Sequence, residues 1–83
     1  MSNLARTPKQ IGAVIQRTRK NHGWSQSDLG ERAGLRQATI STIERGESPA
    51  RIDTLLSVLG ALDLEFRIDI RTKLTQFDIE DRA

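Results

Sequence analysis

Within the stretch Ser25 to Gly46, SQSDLGERAGLRQATISTIERG, sit Gln26, Arg36, Gln37, Thr39, Ser41 and Thr42. Their side chains are amides, hydroxyls and a guanidinium, groups that donate and accept hydrogen bonds in defined directions. The ingredients of bond-making chemistry are thin by comparison. The chain has one histidine, His22, no cysteine and no glycine-rich phosphate loop. His22 reads as an exposed helix-end residue, and Asp28 and Glu31 as ordinary surface carboxylates. Recognition rather than catalysis is therefore expected, with no metal or cofactor implied.

The elements that must hold these groups follow from caps and periodicity. Thr7 suits an N-cap and Pro8 the first helical position, and Ile11, Val14, Ile15 and Thr18 recur at helical spacing. This predicts a first helix over about Pro8 to Asn21, closed by Gly23. Trp24 is expected to pack between the first two helices. Ser25 then caps a second helix, about Gln26 to Ala33, with Asp28 as its capping-box partner and Leu29 and Ala33 facing inward. Gly30 lowers helix propensity by about 1 kcal/mol relative to Ala; it marks either a close neighbour or a weak exposed position. Gly34 breaks the chain and Leu35 plugs the core. A third helix is predicted over about Gln37 to Arg45, with Ile40 and Ile43 inward and Gly46 as its stop. A fourth covers about Ile52 to Leu62, with Ile52, Leu55, Leu56, Leu59 and Leu62 as its apolar stripe.

The period then changes. Leu64, Phe66, Ile68 and Ile70 alternate with Glu65, Arg67, Asp69 and Arg71, the mark of a strand over about 64–71. One strand leaves its backbone edge unpaired. The economical partner is the same strand of a second subunit, so these four apolar residues are expected to join a two-fold dimer through a two-stranded antiparallel sheet. The fold class expected is mainly α: four helices, then one C-terminal strand pairing across a homodimer. Residues 1–6 are expected to be loose, 7–71 to form the domain with its dimerisation strand, and 72–83 to be an acidic tail.

An 83-residue chain suits one small domain, of a size that often gains stability by oligomerising. Residues 1–62 carry nine Lys/Arg against five Asp/Glu, and residues 63–83 four against six. A basic body with an acidic end suits a polyanion partner. No run approaches the length of a membrane span, and the N-terminus lacks an apolar signal core; a cytoplasmic protein is expected.

Two short helices with a glycine at the turn, the second polar on one side, suit a helix-turn-helix whose second helix enters the major groove of DNA. The amide of Gln37 matches adenine, a guanidinium such as Arg36 can grip guanine or a phosphate, and Ala38 or the Thr39 methyl can touch a thymine methyl. Ser25 and Gln26 sit at a helix start, where free N–H groups favour a phosphate. Thr42, Arg45 and Arg51 are further phosphate candidates.

The motifs arrive in register: I-G-x-x-I-x-x-x-R (Ile11 to Arg19), W-S-Q-x-x-L (Trp24 to Leu29), A-G (Ala33, Gly34), A-T-I-S-x-I-E-x-G (Ala38 to Gly46) and P-x-x-x-T-L-x-x-x-x-x-A-L (Pro49 to Leu62). Over about two-thirds of its length the chain thus resembles the lambda-repressor-like, Cro/C1-type helix-turn-helix domains. The resemblance implies that Gln26 contacts phosphate, that Gln37, Ala38 and Ser41 face bases, and that Arg19 pairs with Glu44. Gly30 departs from the family's usual Ala, and a strand replaces the fifth helix of many members. A Cro/C1 domain ending in a strand is similar to HipB-type antitoxins, a narrower match supported by G-W-S-Q-S-D-L and R-Q-A-T-I-S. That match implies a homodimer repressing its own operon at palindromic double-stranded operators, and a HipA-type serine/threonine kinase toxin as partner. A stand-alone Cro/C1-type regulator without a toxin is the alternative, and a protein-only adaptor a third.

Overall fold

The computed structural model describes residues 4–71 and contains four helices: α1 (Pro8–Asn21), α2 (Gln26–Ala33), α3 (Gln37–Arg45) and α4 (Ile52–Ala61). The tail 72–83 and the first three residues of the N-terminus lie outside the described residues. Two helix starts are fixed by side chains. Thr7 Oγ1 accepts from the Gln10 N–H at 3.1 Å. At α2 the capping box is complete: the Asp28 N–H donates to Ser25 Oγ at 3.0 Å and the Ser25 N–H donates to Asp28 Oδ2 at 2.8 Å. Helices α3 and α4 begin after Arg36 and Arg51 without a side-chain cap.

Three helix ends share one closing device. After α1, α2 and α4 comes a residue with positive φ: Gly23 (75°), Gly34 (72°) and Asp63 (58°). The following N–H then reaches back five residues, from Trp24 to the Arg19 carbonyl, Leu35 to Gly30 and Leu64 to Leu59. This is the Schellman pattern, which satisfies an orphan carbonyl and turns the next side chain inward. Trp24, Leu35 and Leu64 all pack on the core as a result.

That core is Ile15, Leu29, Ile40, Ile43, Val58 and Leu62. Helix α3 packs against both α1 and α2, and α2 also packs on α4. Val14 stays half-buried outside this cluster. The stripe expected on α4 needs correcting. Leu55, Leu59 and Leu62 do face the core, but Val58 joins them fully buried, while Ile52 and Leu56 are 59% and 48% exposed. The large apolar residues of α4 fall in one arc of about 160°, running from Val58 through Leu62, Leu55 and Leu59 to Ile52 and Leu56, and spacing alone does not say which edge of that arc turns inward.

Three glycines mark backbone contact; at Gly46, which ends α3, a Cβ would stand 2.5 Å from the Lys9 Cα at the start of α1. A Cβ on Gly12 would stand 2.5 Å from the carbonyl oxygens of Ile43 and Glu44, so α1 and α3 touch main chain to main chain. A Cβ on Gly30 would meet the Leu35 carbonyl oxygen at 2.7 Å. Gly30 is buried, and the turn folded over it accounts for the missing side chain.

Residues 64–71 carry no regular secondary structure in the single chain. Phe66, Ile68 and Ile70 are 54%, 90% and 72% exposed. A strand needs a second edge to form its ladder, and the described residues of one chain present none to this arm. Among the described residues no helix is long and apolar enough to cross a membrane.

Candidate nucleic-acid interface

The unit α2–turn–α3 places α3 with Ile40, Ile43 and Glu44 inward. Gln37 and Ala38 are exposed on its outer side, with Thr39, Ser41 and Thr42 half-exposed beside them. Arg36 is exposed at the N-cap. The turn that sets α3 against α2 is made by Gly34 in the left-handed region and by the bond from the Leu35 N–H to the Gly30 carbonyl, 2.8 Å.

Beneath this surface a buried ion pair joins the helices. Arg19 of α1 donates to Glu44 of α3 through Nε at 2.6 Å and Nη2 at 3.1 Å, and through Nη1 to the Trp24 carbonyl at 2.8 Å. Their side chains are 9% and 2% exposed. Hydrogen bonding to Glu44 holds the Arg19 pKa above its ordinary value, so the guanidinium is charged at every accessible pH.

The ion pair extends to the surface. Gln26 Nε2 donates to Glu44 Oε1 at 3.0 Å, and Gln37 Nε2 donates to Gln26 Oε1 at 2.6 Å. A carboxylate only accepts, so Glu44 compels Gln26 to turn its NH₂ inward and its oxygen toward Gln37. Gln37 must then answer with its own NH₂. What remains free on Gln37 is its oxygen and one N–H, the acceptor–donor pair that matches N6 and N7 of adenine. Gln26 keeps one N–H, enough for a phosphate oxygen. Spacing places each glutamine at a helix start; two amides eleven residues apart across a short turn are the only sequence signal of the bond between them.

The other candidates fall into two groups. Arg45 Nη1 donates to Ser41 Oγ at 2.9 Å and its Nε lies 3.4 Å from Glu47. Arg51 pairs with Asp53 at 3.1 Å. These exposed pairs are worth about 0–1 kcal/mol each, so a competing anion would displace them at little cost; the buried Arg19–Glu44 pair is a fixed part of the scaffold. Thr42 donates to the Ala38 carbonyl at 3.0 Å. Thr42 and Arg51 also line one open depression of about 310 Å³ between α3 and the following loop, with Ala38, Thr39 and Pro49. Ser25 spends its N–H and an Oγ lone pair on Asp28 and keeps its hydroxyl proton as a donor; the amides that open α2 are those of Gln26 and Ser27, ahead of the first intrahelical bond from Leu29 to Ser25. The Ser25 bonds hold the Asp28 carboxyl below its ordinary range.

One cluster had only partial sequence warning. The Trp24 ring stacks on His22, centroids 4.4 Å apart, and the Arg32 guanidinium lies over it at 4.1 Å. Among the described residues no group of His, Cys, Asp or Glu could hold a metal ion.

This geometry can be set beside known proteins. A helix-turn-helix family model matches residues 15–68. The chain is 31% identical over 62 residues to the antitoxin HipB of Escherichia coli K12, covering 75% of this chain and 70% of that protein. It is 35% identical over 66 residues to the HTH-type transcriptional regulator SutR of the same organism, covering 80% of this chain but 35% of SutR. Among solved structures it superposes on a chain of the HipA-HipB-O2-O3 complex with a TM-score of 0.75 and 28% identity, over 84% of this chain and 100% of that one.

Proposed function

The chain belongs to the Cro/C1-type helix-turn-helix family, whose members are DNA-binding regulators and not enzymes, and from that membership we propose that it is a sequence-specific repressor and a HipB-like antitoxin. The observation that carries the DNA-reading half is the Gln26–Gln37 amide pair, braced from below by Glu44 and open outward with an adenine-matching edge. Arg36, Gln37, Ala38, Thr39 and Ser41 meet bases, and Ser25, Gln26, Thr42, Arg45 and Arg51 meet the phosphate backbone. Phosphate contacts set the register and α3 reads the sequence. Residues 7–71 act as the binding domain. Two chains pair through Phe66, Ile68 and Ile70, with Leu64 anchoring the start of the arm on each chain's own core, and present their α3 helices to half-sites of a palindrome about 34–36 Å apart, or a multiple of that.

The antitoxin half rests on likeness to HipB and to a chain solved with HipA and operators. It assigns the chain a HipA-type kinase as protein partner. SutR favours a second reading, a transcriptional regulator with no toxin. A Gln37→Ala variant tests the first half by fluorescence anisotropy on a panel of operator variants. Binding weakens by about 1–3 kcal/mol with the loss concentrated at one base pair; equal loss on every sequence would move Gln37 to the backbone. For the second half, the kinase-like product of a neighbouring reading frame is co-expressed with this chain. Co-purification at fixed stoichiometry supports the antitoxin, and the lack of any such frame favours the stand-alone regulator.

A further inference from the structure

The arm that follows α4 carries a charge order with its own symmetry. Its apolar residues Phe66, Ile68 and Ile70 are the exposed ones, and between them stand Glu65, Arg67, Asp69 and Arg71. Two identical antiparallel strands are related by a two-fold axis perpendicular to their ribbon. The axis keeps both apolar sets on one face, so it must run midway between a residue and that residue's own copy, the residue on which the ribbon is centred. Apolar alternation permits several such centres, each a slip of two residues from the next, and does not choose among them.

The charges do choose. With the axis at Ile68, Phe66 faces Ile70, Arg67 faces Asp69, and Glu65 faces Arg71. Every charge from 65 to 71 then meets its opposite, in four interchain pairs. With the axis at Arg67, that residue faces its own copy and Glu65 faces Asp69. With the axis at Asp69, Asp69 faces itself and Arg67 faces Arg71. Centring on Phe66 keeps Glu65 opposite Arg67 but sets Asp63 against Asp69, and centring on Ile70 keeps Asp69 opposite Arg71 but leaves Glu65 and Arg67 without a partner within 64–71, so each has two favourable pairs against four. Opposite charges across strands stabilise and like charges directly opposite destabilise.

We propose that residues 64–71 are a self-complementary strand that pairs with a second copy of this chain in one register, with the two-fold axis through Ile68. The proposal rests on the dimer reading above and adds the register. It makes the arm a self-recognition code, since a slipped pairing keeps the apolar face but at most two of the four ion pairs within 64–71.

The test uses the full chain in sedimentation equilibrium over a dilution series. Asp69→Arg sets a second arginine against Arg67 at both symmetry-related positions and raises the dimer Kd about tenfold, whereas the swap Arg67→Asp with Asp69→Arg restores it to within about twofold. In an Arg67-centred ribbon the same Asp69→Arg change would face Glu65 and tighten the dimer, which overturns the register. Ile68→Cys gives an independent readout, because the chain has no other cysteine. It forms an interchain disulfide under mild oxidation faster than Arg67→Cys or Asp69→Cys, and fastest cross-linking at 67 or 69 overturns the proposal. A wild-type chain that sediments as a monomer throughout overturns the dimer reading itself. A dimer indifferent to all these changes overturns the register alone.

Discussion

Replacing Glu44 with Gln keeps its size and removes its charge. Two carboxylate oxygens now accept three donors: Arg19 Nε at 2.6 Å, Arg19 Nη2 at 3.1 Å and Gln26 Nε2 at 3.0 Å. A glutamine has one oxygen, and its NH₂ would face the guanidinium or the Gln26 amide, donor against donor. Arg19 cannot shed its proton, and the Trp24 carbonyl at 2.8 Å would be the main acceptor left to it. Breaking a buried pair by removing one partner costs about 3–5 kcal/mol. The substituted amide retains part of the bonding, so a loss of about 3 kcal/mol is expected, from a total of roughly 4–10 kcal/mol for a domain this small. With a urea slope of about 1 kcal/mol per molar, the midpoint falls by about 3 M. Trp24 is the sole tryptophan, and its stacking on His22 under Arg32 makes its fluorescence a reporter of the native state. A shift below about 1 M at unchanged slope would refute the view that charge holds this pair. The double replacement Arg19→Met with Glu44→Leu recovers most of the loss, because apolar pairs of similar volume substitute well for buried ion pairs; no recovery would assign the cost to shape instead.

Gln26→Met keeps the side-chain stem and removes the amide, so binding weakens overall and discrimination at the base read by Gln37 also relaxes; uniform weakening in an operator panel would leave Gln26 a phosphate contact only. Gly12→Ala gains helix propensity of about 1 kcal/mol yet sets a Cβ 2.5 Å from two α3 carbonyl oxygens, and a net loss of about 1–3 kcal/mol is expected in thermal melts, a neutral result removing the close contact. Asp63→Gly relieves a non-glycine residue at φ 58° and stabilises by about 0.5 kcal/mol, checked by the urea midpoint. Asp28 has its carboxyl pKa lowered by the Ser25 backbone and side-chain bonds. A lowered folded pKa adds stability above the unfolded value, near 4, that is lost as pH falls through the folded value. Wild type therefore sheds part of its stability in that acid range and Asp28→Asn does not, and parallel acid titrations of the two would contradict this.

The helices were legible because their ends are written in the chain. Thr7–Pro8, the Ser25–Asp28 box and the glycines at 23, 34 and 46 bound α1 to α3 where expected. Helix α4 was less legible on its faces. Ile52, Leu55, Leu56, Val58 and Leu59 spread over an arc of about 160°, wider than one contact buries, and packing against α2 selects its Val58 edge over Ile52 and Leu56. Within the candidate interface, residue types and positions could be read, but the Glu44–Gln26–Gln37 relay depends on side-chain directions that spacing does not carry. The arm is different again. Its alternation was plain, but a ladder needs two edges, and one chain supplies one.

The main-chain seam between α1 and α3 at Gly12 has a consequence for how such a protein changes over generations. The pose of α3 is set by backbone lying on backbone, by Ile40 and Ile43, and by the Glu44 anchor, all on its hidden side. Its outward residues take almost no part in that mounting. On the proposed reading, new operator preferences would arise by exchanging letters at 36, 38, 39 and 41 while the angle of approach to the groove stayed constant. Substitutions on the hidden side, by contrast, would shift the pose of α3 and so alter every proposed half-site contact at once. The fold separates what is read from how it is held, and that separation lets duplicated copies diverge in target without first relearning how to bind.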